Sequence, residues 1–311
     1  MNVRHLINVS DLTPREVIGV FDESAVMKSR LRRGIIENCL AGKTIALVFE
    51  KASNRTRVSF EVGMTQLGGH SIYLASDCIR LGERETIPDV ARTLSGYVDG
   101  VVVRTYAHST VTEFAKYSSV PVINGLSDHS HPCQALADLF TVREKLGRLA
   151  GVKLAFVGDG NNVARSLASA CYRLGLHFAI ASPKGYELED EFVSKAHDLV
   201  PEDAGSVTKH RDPYQAVKDA DVVYTDVWAS MGQEAEARQR RIDFAGYQVD
   251  GKLLAAAKKG ALVMHCLPAH RGEEITDEVI EGPQSIVFEQ AESRLHVQKG
   301  LLKLLMASPE A

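Results

Sequence analysis

Short apolar runs rich in branched residues recur along almost the whole chain, and stretches with apolar residues at helical spacing separate them. Four such runs, residues 45–49, 71–75, Gly100–Arg104 and 121–124, occupy the first half. Five more, 152–157, 178–181, 221–225, 261–265 and 285–288, occupy the second. A helix between successive strands returns the chain to the same end of the sheet, so neighbouring strands run parallel and helices cover both faces. The pattern therefore predicts an α/β fold. Nine strands exceed what one ordinary open sheet needs, so we expect two doubly wound domains. The break belongs near "HPCQALADLFTVREKLGRLAG", where Pro132 opens a helix that stops by Gly147 to Gly151.

Open parallel sheets gather ligands beyond the carboxyl ends of their strands. That rule selects "ASNRTR", Arg104 and "SDHSHPCQ" in the first half, and "GDGNN", "DVWASMG" and "HCLPAHRG" in the second. The segment "EKASNRTRVSFEVG" is the oddest of these. Ser53 stands where an N-cap belongs, yet Arg55 and Arg57 fall in the first turn, where the helix dipole disfavours cations. Free N–H groups, a hydroxyl and guanidinium forks together make an anion site, most plausibly for phosphate. A solvated basic turn paired with nearby acids fits the spacing equally well.

The other segments each have a bland counterpart. "VGDGNNV" joins a strand to a helix, but Val163 replaces the third glycine of a dinucleotide loop and no acid follows the next strand. Asn162 there could bind a polar substrate or cap the helix. His131 and Gln134 in "HPCQ" could both hydrogen-bond a small carbonyl compound, or His131 could simply cap beside Pro132. In "HCLPAHR" the pair His265 and Cys266 suggests a thiol nucleophile, but adjacent strand residues point to opposite faces. The spacing of His265, Cys266 and His270 matches no usual zinc pattern. Asp226 in "DVWASMG" could hold an ammonium beneath a loop with a glycine hinge, or Trp228 could merely anchor a surface loop.

Composition narrows the class of partner. A net charge of −4 and a pI of about 6.3 give no reason to expect nucleic acid. No apolar run approaches the roughly 20 residues of a membrane span, and the N-terminus has no apolar signal core. Five scattered cysteines form no CxxC pair, which fits a reducing cytoplasm.

Taken together and in this order, the segments resemble the aspartate/ornithine carbamoyltransferase superfamily over nearly the whole chain. Ser53-Asn54-Arg55-Thr56-Arg57 resembles its carbamoyl-phosphate loop, with Asn54 in place of the commoner threonine. Arg104 and His131-Pro132-Cys133-Gln134 match further carbamoyl-phosphate contacts. Asn162, Asp226, Ser230 to Gly232 and "HCLPAHRG" match the ornithine side, and Arg294 a late active-site arginine. The aspartate branch carries Pro-Leu-Pro-Arg where this chain has "HCLPAHR", so the ornithine branch is the better match.

The resemblance implies a carbamoyl-phosphate domain over residues 1–133, an ornithine domain over 134–289 and a helix over 290–307 that packs back, with the site in the cleft between the domains. It implies that Ser53, Asn54, Arg55, Thr56, Arg80, Arg104, His131, Gln134, Leu267 and Arg294 bind carbamoyl phosphate. Asn162, Asp226, Ser230, Met231, Cys266 and Leu267 would bind L-ornithine. Arg55, Arg104, His131, Asp226 and Cys266 form the implied catalytic set, Cys266 as a positioning group and Arg57 as a structural one. No metal or cofactor is needed. Arg80 stands where relatives carry glutamine or histidine from a neighbouring subunit, so a homotrimer or an assembly of trimers is implied, as is a place in arginine biosynthesis. The rival readings are a carbamoyltransferase for putrescine or an acylated ornithine, an NAD-dependent oxidoreductase and a non-catalytic ornithine-binding regulator.

Overall fold

Eight of the nine expected strands form, and all but one edge strand of the first sheet, residues 70–75, carry mostly buried residues. The computed structural model describes residues 4–198, 205–230 and 232–307. Its first sheet comprises β1 (Thr44–Phe49), β2 (His70–Ala75), β3 (Gly100–Arg104) and β4 (Val122–Leu126) in the order β2-β1-β3-β4. The second comprises β5 (Lys153–Val157), β6 (His177–Ala181), β7 (Ser206–His210), β8 (Val222–Thr225) and β9 (Leu262–His265) in the order β7-β6-β5-β8-β9. Every strand pairing is parallel. The central strands β1, β3 and β5 are buried almost end to end, which is why they read as unbroken apolar runs.

Two expectations need correction. The run 285–288 is not a strand: Ser285 makes an isolated bridge to Val263, and Val287 opens the helix Val287–Met306. Ile286 and Val287 are buried, so an apolar run at a helix start imitated a strand. Conversely, β7 ("SVTKH") was not expected. It lies at the sheet edge with only Val207 fully buried, and so it lacks the apolar signature.

The chain divides into two compact units, Met1–Phe140 with Glu292–Ala311, and Thr141–Ala291. The division falls inside the helix Pro132–Leu146, which begins at the expected proline and is followed by Gly147 at φ 70°. Among the described residues no helix is long and apolar enough to cross a membrane.

Candidate active site

In each sheet the strand order reverses once, between β1 and β3 and between β5 and β8. Connections leave such a point in opposite directions, and ligands bind there. Phe49 and Arg104 are register partners at the carboxyl ends of β1 and β3. The helix Asn54–Gln66 begins a few residues beyond Phe49, and the extended Ser53 caps it, its hydroxyl accepting from the Thr56 N–H at 3.2 Å. No acid lies in its first turn.

Thr56 is the hub of this half. Its buried Oγ1 accepts from Arg104 Nη1 at 3.3 Å and from Arg294 Nη2 at 3.1 Å. Both lone pairs are thereby used, and the hydroxyl hydrogen remains for an acceptor. Arg294 Nη1 also donates to Gln134 Oε1, while Gln134 Nε2 donates to Asp138 Oδ1 at 2.8 Å. Arg104 is 7% exposed, and its Nε has no hydrogen-bond partner among the described residues. Burial, with Arg294 and Arg55 nearby, lowers its pKa to about 10. Burial and the same cationic neighbours hold His131 well below the ordinary imidazole value, so its ring is neutral at pH 7. A cluster of cations at the base of a helix N-terminus is a poor way to stabilise a fold and a good way to attract a dianion.

The surrounding residues divide clearly. Arg57 Nε pairs with Glu61 at 2.9 Å and its guanidinium lies 3.9 Å from the Tyr73 ring centroid, the structural role expected of it. Arg55 is half-buried and Asn54 exposed. Arg80 follows the short helix Ser76–Ile79 in the left-handed region, at φ 38°. It is exposed and makes no ion pair with Glu83 among the described residues.

In the second unit the ends of β5 and β8 meet through Asn161 and Asp226. Asn161 caps the helix Asn162–Arg173, its Oδ1 accepting from the N–H groups of Val163 and Ala164 at 3.0 Å. Its Nδ2 donates to Asp226 Oδ2 at 2.9 Å. Asp226 Oδ1 accepts from the Cys266 thiol at 3.0 Å and from the Val227 N–H at 2.8 Å. An ionised carboxylate offers about four lone pairs, and three are filled, so one direction stays open for a ligand donor. The thiol is thus a hydrogen-bond donor to a carboxylate in this site. Ser230 is half-buried and its N–H donates to Gln233 Oε1 at 3.0 Å. Met231 lies outside the described residues.

His265 does not serve Cys266. Its Nδ1 accepts from the Leu267 N–H at 2.8 Å, which leaves Nε2 to donate to Glu274 Oε1 at 3.0 Å. The buried ring thus fixes Leu267, which sits at φ 58° before a cis peptide bond to Pro268. Asp226, His265 and Cys266 offer ligand atoms within 4.8 Å of one another, as do His270, Glu273 and Glu274. Because His265 uses both nitrogens within the fold, the first trio is built for hydrogen bonding rather than coordination. Gly160 of "GDG" has a packing reason too: a Cβ there would lie 2.5 Å from the Leu188 backbone nitrogen.

Residues 4–144 match the family described as aspartate/ornithine carbamoyltransferase, carbamoyl-P binding domain, and residues 150–305 match its Asp/Orn binding domain. The chain is 52% identical over 303 residues to an ornithine carbamoyltransferase of Pyrococcus abyssi, covering 97% of this chain and 96% of that one. It is 50% identical over 308 residues to one of Bacillus subtilis, covering 99% and 95%. The chain belongs to the aspartate/ornithine carbamoyltransferase family. Among solved structures, ornithine carbamoyltransferase from Pyrococcus furiosus superposes with a TM-score of 0.95 at 51% identity, over 99% of this chain and 98% of that one.

Membership in this carbamoyltransferase family leaves several supporting residues that the sequence motifs did not single out. Asn161 rather than Asn162 caps the helix and holds Asp226; the doubled asparagine was the only signal, and it does not say which one points inward. Asp138 orients Gln134 from one turn further along its helix, an i,i+4 relation that was available. Glu274 follows its partner His265 by nine positions in a loop, with no periodic relation to reveal it.

Proposed function

We propose that the chain is an ornithine carbamoyltransferase, transferring the carbamoyl group of carbamoyl phosphate to the side-chain amine of L-ornithine to give L-citrulline and phosphate. The observation that carries this reading is the convergence of Arg104 and Arg294 on Thr56 Oγ1 at a helix N-terminus that lacks acids. Ser53, Arg55, Thr56, Arg104 and the first-turn amides hold the phosphate. Asn54 contributes its backbone N–H. Neutral His131 donates to the carbamoyl oxygen alongside Thr56 and Arg104, and these donors stabilise the oxyanion as the tetrahedral intermediate forms. Gln134 Oε1 and the Leu267 carbonyl accept from the carbamoyl amine, with Arg294 fixing Gln134.

Asp226 and Cys266 contact ornithine, and Asn162, Ser230 and Met231 hold its amino-acid end. The neutral side-chain amine, a minor form for a group with a pKa near 10.4, attacks the carbonyl carbon. The carbon–oxygen bond to phosphate then breaks, and phosphate leaves with the amine proton. Nothing in this path uses a covalent enzyme intermediate, and the Cys266 thiol acts as a donor. Ornithine and carbamoyl phosphate together should yield citrulline without added metal or nucleotide; no product, or label trapped on Cys266, would contradict the proposal.

The assembly is a homotrimer, or a set of trimers, in the cytoplasm. The free cysteines Cys39, Cys133, Cys171 and Cys266 fit that compartment, and exposed Arg80 fits a side chain donated to a neighbouring subunit. Sedimentation should give three times the 34.0 kDa chain mass or a multiple of that. An active monomer would rule this out.

A further inference from the structure

We infer that Arg240 is a positioning residue for the amino-acid substrate, a clasp holding the loop Trp228 to Ser230 against the loop that carries Asn161. Arg240 lies in the helix Ala237–Asp243, outside every motif considered above, and is 6% exposed. Its Nη1 donates both to Asp159 Oδ2 at 2.7 Å and to the Trp228 carbonyl at 2.8 Å. Nε donates to Glu236 Oε2 at 2.9 Å, and the guanidinium lies 4.9 Å from the Tyr186 ring centroid. Tyr186 packs on Phe244, which stacks on Trp228 at 5.7 Å.

The chain positions give this cluster its meaning. Asp159 precedes Asn161 by two residues, and Asn161 holds Asp226. Trp228 follows Asp226 by two residues and precedes Ser230 by two. One guanidinium therefore fixes both loops that flank Asp226, from β5 and from β8. A purely structural ion pair would need only Asp159; the bond to the Trp228 carbonyl gives the pair control over a ligand loop. Burial raises the Asp159 carboxyl above its usual range, opposed by its hydrogen bond to Arg240, so the two charges depend on each other. Lysine could keep the charge but not the fork that reaches three acceptors while lying on an aromatic ring.

The inference rests on the ornithine reading, and its test separates the two. Arg240→Lys and Asp159→Asn are assayed by steady-state kinetics and by the emission of Trp228, the single tryptophan of the chain. For both variants we expect the KM for ornithine to rise about tenfold or more, since a displaced loop forfeits one or two substrate hydrogen bonds. The KM for carbamoyl phosphate should stay within about twofold, and Trp228 emission in the ligand-free protein should shift to the red as its ring loosens. If Arg240→Lys does not fold, Asp159→Asn, which keeps side-chain volume and one acceptor, decides. Equal changes in both KM values, an unchanged ornithine KM, or unchanged emission would overturn the clasp. A wild-type protein that makes no citrulline would overturn the functional reading instead, and emission would still decide the clasp.

Discussion

Arg104→Gln lowers kcat/KM for carbamoyl phosphate by about 100-fold while the ligand-free protein keeps its urea midpoint. A charge-assisted hydrogen bond contributes about 1.5–3 kcal/mol, and in a buried site the upper part of that range applies. The second half of the expectation is the more telling. Lowering the Arg104 pKa from 12.5 to about 10 means that keeping it charged in the folded protein at pH 7 costs on the order of 3 kcal/mol. Removing that charge relieves the penalty and offsets the loss of the bond to Thr56. Thermal stabilisation by added phosphate should fall sharply in the variant, because the dianion loses the buried cation Arg104 and keeps only Arg55 and Arg294 nearby. A large fall in the variant's own stability, with phosphate stabilisation intact, would mean that Arg104 serves the fold rather than a ligand.

Between pH 7 and pH 5 the protein should lose unfolding free energy, up to about 4 kcal/mol, through two buried histidines. Burial holds His131 well below 6.5, and burial, reinforced by Lys299 and Lys28 but opposed by a hydrogen bond to Glu292, lowers His296 to about 4. Both folded-state values lie below the unfolded one. The unfolded chain therefore takes up protons as pH falls through 6.5 while the folded chain does not. Stability is full above that value and falls by up to about 1.4 kcal/mol per pH unit for each ring. Urea unfolding at the two pH values measures the loss, and His131→Gln should remove about half of it. An identical loss in the variant would show that His131 is protonated in the folded state, contrary to the neutral donor proposed for it.

Local signals in the sequence reached the strands and their carboxyl ends well, because buried parallel strands are apolar along their whole length. They failed where tertiary context overrode local character. β7 is a polar edge strand, and the apolar residues at 286 and 287 belong to a helix start. The acid-free helix start that carries the proposed anion site was legible at Ser53 and Arg55, because cations at a helix N-terminus are locally unfavourable. Arg294 lies 238 residues from Thr56, and only a family resemblance could bring the two together. The choice between Asn161 and Asn162 depended on which side chain turns inward, a matter of backbone geometry. Asp159 lay within "GDGNN", but its partner Arg240, 81 residues away, belonged to no motif.

The most direct measurement offers carbamoyl phosphate together with equal amounts of ornithine, putrescine, N-acetylornithine and aspartate, and follows all four carbamoylated products in one tube. Asp226 retains one open acceptor direction for a donor on the amino-acid substrate, and the Ser230 loop is the proposed reader of its carboxylate. Putrescine has no carboxylate, N-acetylornithine has lost its α-ammonium, and aspartate lacks the side-chain amine. Citrulline should dominate, by about tenfold or more for each missing charged hydrogen bond, without metal or nucleotide present. Faster carbamoylation of any of the other three would contradict the account.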